Sequence, residues 1–118
     1  MIYAKPGSEG SVVSFKERYG NFINGEWVAP VKGEYFTATS PVDGSDIAQI
    51  PRSTSEDIEL ALDAAHAAKK GWADTSVAER SNILLKIADR IEENLELLAV
   101  AETWDNGKKA TNAIKTSL

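Results

Sequence analysis

A chain of 118 residues, 42% hydrophobic and 26% charged, holds at most one domain with a modest core and is neither disordered nor fibrous. Its net charge of −5 repels nucleic acid and anionic lipid, so neither is expected as a partner. The absence of cysteine excludes disulfides, thiolate metal sites and a thiol nucleophile within these residues. No run of 18 apolar residues exists to span a membrane, and the first residues lack the basic-then-apolar order of a signal peptide. A cytoplasmic protein is expected.

Residues 1–20 read as an extended arm, punctuated by Pro6, Gly7 and Gly10. Val12, Val13 and Phe15 are the residues able to anchor it. In the following NFINGEWV, Asn24-Gly25 sits between two apolar pairs, the turn chemistry of a tight hairpin, because a type I′ turn needs positive φ at both central positions. The run EYFTAT, stopped by Ser40-Pro41, and DIAQIP after the Val42–Ser45 turn add further strand pattern. Residues 21–51 are thus expected as a β-meander of three or four short strands that needs a helical layer for stability.

Ser53–Asp57 reads as a helix start, with Thr54 and Asp57, or Ser53 and Glu56, at capping-box spacing. Ile58, Ala61, Leu62, Ala65, Ala68 and Trp72 then share one face, alanine-rich enough for a close neighbour, and Gly71 is expected to end the helix. Ser76 and Glu79 open a second capped helix carrying Ile83, Leu84, Ile87, Ala88, Ile91 and Leu95. The short link predicts that the two helices pack as an antiparallel hairpin. Asn94 interrupts the pattern, which resumes through Leu97, Leu98, Ala101 and Trp104 and stops at Gly107. Lys109–Leu118 could add one or two helical turns.

Little in this pattern carries chemistry. His66 stands alone without a second ligand at metal spacing. Glu56-Asp57 and Glu92-Glu93 are adjacent pairs, which point apart on a helix and cannot share a proton. The eight glycines assemble no phosphate-binding loop. Trp27, Trp72 and Trp104 are expected in the core. Asp105-Asn106-Gly107-Lys108 reads either as a helix C-cap or as a turn whose Asp105 offers an oxygen ligand to a hard cation or an interface contact.

In order and spacing, FINGEWV at 22–28, SPVDGSDIAQIPRST at 40–54 and the AAHAAKKGW…VAETWDNGK stretch at 64–108 resemble the N-terminal part of the aldehyde dehydrogenase superfamily, most closely its bacterial acetaldehyde-type NAD-dependent enzymes. The resemblance covers about residues 15–108. It implies an α+β fragment in which a short N-terminal β-hairpin or meander precedes antiparallel amphipathic helices, with the arm at 1–20 and part of the α/β cofactor-binding domain at 21–118. Members oxidise aldehydes to acids with NAD or NADP. Their nucleophilic cysteine, glutamate base, oxyanion asparagine and phosphate-cradling glycine loop lie downstream of the matched stretch, so no catalytic or cofactor-binding residue is carried over. Many members hold a sodium or potassium ion at positions matching Ala38, Thr39 and Asp105. An aliphatic aldehyde is then a substrate of a full-length enzyme only. The chain alone is expected to be inactive and to meet the remainder of such an enzyme or itself. The alternative is a truncated non-enzymatic module that self-associates or docks on a full-length relative. After Lys108 the chain departs from the family pattern, which commonly continues with Pro. A divergent helix start, a truncation and a shifted reading frame remain open.

Overall fold

The structure, a computed structural model, describes residues 3–109. Four strands precede three helices: β1 (Asn21–Ile23), β2 (Glu26–Val28), β3 (Tyr35–Thr39), β4 (Asp46–Pro51), α1 (Ser55–Asp74), α2 (Val77–Glu93) and α3 (Leu95–Asn106). The expected helical turns after Lys109 lie outside the described residues.

The strands do not form one meander. They form two separate antiparallel hairpins, β1–β2 and β3–β4. The first closes on Asn24 and Gly25, whose φ values of 53° and 78° are the positive pair that a type I′ turn demands. It registers Phe22 opposite Trp27, with ring centroids 5.0 Å apart. The second pairs Tyr35 with Pro51 and Ala38 with Ala48, and a bulge breaks its register between Ala38 and Thr39. An irregular segment, residues 29–34, connects the hairpins. Asp57, at the start of α1, accepts a hydrogen bond from the Val31 N–H at 2.9 Å and so fastens this segment to the helix.

The arm is not free. Val13 is buried, and Glu17–Tyr19 runs beside β4: the Gln49 N–H donates to the Glu17 carbonyl (2.8 Å) and the Tyr19 N–H to the Gln49 carbonyl (3.0 Å). The Arg18 guanidinium forks onto Gln49 Oε1, with Nε at 2.9 Å and Nη2 at 2.6 Å.

Of the two capping alternatives for α1, the structure uses the pair Thr54 and Asp57, the Thr54 N–H donating to Asp57 Oδ2 at 2.9 Å. The helix runs through Gly71 instead of stopping there. A glycine within a helix costs about 1 kcal/mol without forbidding it, and the end comes where Thr75 turns extended and its N–H and hydroxyl bond to the Trp72 and Gly71 carbonyls. Ser76 then caps α2 by accepting from the Glu79 N–H at 3.1 Å. Asn94 separates α2 from α3, and Gly107 ends α3 in the left-handed region at φ 79°.

α1 and α2 share no extended seam, contrary to the expected packing of one on the other. α1 lies against β1, and α2 lies against α3. The reason is the alanine face. Ala61, Ala64, Ala65 and Ala68 form one wall of a shallow cleft whose other wall is Phe22–Gly25 of the first hairpin. Among the described residues the buried core is correspondingly small: Val13, Pro30, Ala48, Ala99 and Val100, with Ser40 and Asp57 as its polar members. The Cα radius of gyration is 17.3 Å, against about 13 Å for a compact chain of this size.

The tryptophans correct a second expectation. Trp27 is 64% exposed and Trp72 46% exposed, and Trp104 is half-buried. Ile58, Leu62, Leu84 and Ile87, expected to face inward, are also exposed. The described residues supply no layer to cover these faces, so the amphipathic pattern is present and its partner surface is not.

Candidate functional site

The segments that carry Ala38, Thr39 and Asp105 are tied at one corner, where the turn after β3 meets the end of α3. Its first half is the turn after the bulge. The Ser40 N–H donates to the Ser45 carbonyl and the Gly44 N–H to the Ser40 carbonyl, both at 2.8 Å. Asp43 Oδ1 accepts from the Ser45 N–H (2.9 Å) and the Ser45 hydroxyl (2.6 Å). These bonds, helped by Lys5, hold the Asp43 carboxyl below its ordinary range.

The second half is the close of α3. The Gly107 N–H returns to the Thr103 carbonyl at 2.8 Å, and the Lys108 N–H donates to Asn106 Oδ1 at 2.9 Å. The Asp105-Asn106-Gly107-Lys108 stretch is therefore a C-cap in form, the first of its two readings.

Ser40 joins the halves. Only 1% exposed, its hydroxyl donates to the Trp104 carbonyl at 2.5 Å and accepts from the Val42 N–H at 3.2 Å. Pro41 closes over the cap: a Cβ on Gly107 would lie 3.3 Å from Pro41 Cγ. Ala38 and Thr39, next to Ser40, and Asp105, next to Trp104, thus belong to two segments tied at one point. Asp105 and Thr39 are exposed and Ala38 is half-buried. Their backbone carbonyls and the Asp105 carboxylate are hard oxygens, the ligand chemistry of hard cations and not of transition metals.

The other candidates are not brought together. His66 is exposed, with Nδ1 2.9 Å from the Leu62 carbonyl of its own helix. Glu93 faces Arg90 at 3.4 Å on the surface. Glu56 is exposed, whereas its neighbour Asp57 is buried at 4% exposure by its bonds to Thr54 and Val31. Among the described residues no group of three His, Cys, Asp or Glu could hold a metal ion. No described helix is long and apolar enough to cross a membrane. Sequence reasoning missed Ser40 as the joining residue. The signal was the Ser-Pro pair before the Asp43-Gly44 turn, which reads equally as a simple strand stop.

The relatives of this chain share the same segment. The model of the aldehyde dehydrogenase family matches residues 27–117. An acetaldehyde dehydrogenase of Pseudomonas aeruginosa is 68% identical over all 118 residues, which cover 23% of that protein. An aldehyde dehydrogenase of Deinococcus radiodurans is 66% identical over 98% of the chain and 22% of its own length. The chain thus spans less than a quarter of these curated relatives. Among solved structures, PnpE in complex with nicotinamide adenine dinucleotide superposes with a TM-score of 0.78 at 38% identity, over 81% of this chain and 20% of that one. Residues, order of elements and superposition agree: the chain belongs to the aldehyde dehydrogenase family.

Proposed function

We propose that this chain supplies part of an NAD-dependent aldehyde dehydrogenase whose complete form oxidises an aliphatic aldehyde to the carboxylic acid in the cytoplasm. The observation that carries this reading is the 68% identity over every residue of the chain with the Pseudomonas acetaldehyde dehydrogenase. Residues 1–20 are its arm and residues 21–118 part of its cofactor-binding domain. The 118 residues alone do not turn over aldehyde, because they contain no cysteine to form the covalent thiohemiacetal. Their exposed apolar faces are met by the remainder of the enzyme, or by a second copy when that remainder is missing.

The test is a graft. Replacing the matching segment of the Pseudomonas enzyme with these 118 residues is expected to preserve NADH formation from acetaldehyde, while the purified chain gives none. A folded but inactive graft, or turnover by the chain alone, overturns the reading.

Within that enzyme, Ala38 and Thr39 carbonyls and the Asp105 carboxylate hold a sodium or potassium ion. Support comes from the Ser40–Trp104 bond, which ties the segments that carry them, and from their all-oxygen chemistry. The melting temperature of the graft is expected to rise with potassium or sodium chloride more than with an equal strength of tetramethylammonium chloride. Asp105→Ala is expected to abolish the difference; an unchanged difference counts against Asp105 as a ligand.

A further inference from the structure

α3 lies along α2 but has no extended seam with either hairpin. At its C-terminal end the Ser40–Trp104 bond holds it. At Trp104 it is also met by the arm. Lys5 Nζ lies 3.6 Å from Asp43 Oδ2 in the turn between β3 and β4. Lys5, Pro6 and Phe15 of the arm, Asp46 and Ile47 of β4 and Trp104 of α3 line one cavity of about 80 Å³. The arm loops back on itself here, the Gly7 N–H donating to the Val13 carbonyl at 3.2 Å, and Val13 is 6% exposed. The arm then pairs with Gln49 of β4 through Glu17 and Tyr19. At its other end the Tyr3 phenol is pushed above its ordinary range by desolvation and, after that, by the Glu96 carboxylate in the first turn of α3.

We infer that residues 3–19 act as a strap that fastens α3 to the β3–β4 hairpin, with the Glu17–Tyr19 pairing as its fixed end, Val13 as its buried pin and Lys5 as its releasable end. Opening the strap leaves α3 tied to the hairpin by the Ser40–Trp104 bond alone, without disturbing α1, which is held separately by β1 and by the Asp57 bonds. The releasable end is ionic and partly exposed, so salt weakens it, while the pin is apolar and salt does not.

Hydrogen exchange of the full 118-residue chain tests this. Val13→Ala removes most of the buried pin and is expected to speed exchange of α3 amides by about tenfold, leaving α1 and the β1–β2 hairpin unchanged. Unchanged α3 exchange, or an equal rise in α1, overturns the strap. Lys5→Met leaves the pin in place. In the parent chain, raising salt to about 1 M, where screening extends only a few ångströms, is expected to quicken α3 exchange two- to threefold. In Lys5→Met that response is expected to vanish, and a response identical to the parent's overturns the role of Lys5.

Discussion

At the scale of single residues, two buried polar groups do more than their apolar neighbours to define the geometry. Ser40 serves three backbone segments at once, through Trp104, Val42 and Ser45. Ser40→Ala leaves the Trp104 carbonyl and the Val42 N–H without their partner in a buried place. It is expected to cost about 1–3 kcal/mol, read as a lower midpoint in urea. Asp57 acts through its charge. Backbone donation from Thr54 first and Val31 second lowers its carboxyl from the ordinary 3.8, against the opposing pull of desolvation. A carboxylate lowered in the folded state stabilises fully above its unfolded value and loses that contribution as pH falls through the folded one. Stability is therefore expected to be flat in this respect above about pH 5 and to fall below pH 4. In Asp57→Asn the acid fall is expected to be shallower, and Glu56→Gln, one residue earlier and exposed, is expected to leave it unchanged. Thermal melts between pH 3 and pH 7 check both.

At the scale of elements, the caps decide where the helices begin and end. Gly107 needs positive φ and also has Pro41 against the place where a Cβ would stand. Gly107→Ala is expected to cost about 1–2 kcal/mol from the left-handed backbone and somewhat more from displacing Pro41, measurable as a fall in melting temperature. Gly71→Ala, in open helical space, is expected to stabilise slightly. Much at this scale is legible in the sequence, because it is written in local chemistry: Asn24-Gly25, the Thr54–Asp57 and Ser76–Glu79 pairs, the break at Asn94 and the stop at Gly107 are all found where local rules place them. What could not be read was the choice of neighbour. The alanine stripe of α1 announces a close approach without saying to what, and it is the first hairpin instead of α2 that comes near. The two hairpins read as one meander because strand pattern alone carries no record of which strands pair. The corner behaves alike: Ala38, Thr39 and Asp105 stand in the sequence with nothing local to connect them, whereas the Ser40 bond does.

At the scale of the whole molecule, the amphipathic pattern outruns the surface available to satisfy it. Leu84 and Leu85 are 62% and 63% exposed. The chain is expected to bind an apolar-surface dye and to self-associate at micromolar concentration, seen by sedimentation velocity. Leu84→Gln with Leu85→Gln is expected to reduce association while changing melting temperature by no more than surface substitutions do, about 0.5 kcal/mol each way. The same pair in the grafted Pseudomonas enzyme is expected to be far more damaging if these faces are covered there. The bond between Ser40 and Trp104 bears on how such a chain comes to be folded, since its partners stand 64 positions apart. A chain made from its N-terminus completes both hairpins and two helices before Trp104 has been synthesised. Until then the turn at Ser40 has no keeper, and closing so long a loop carries an entropic cost that local turns do not. Within the described residues the corner therefore assembles after the hairpins and the first two helices, and a Ser40→Ala chain is expected to fold at nearly the parent rate but unfold faster.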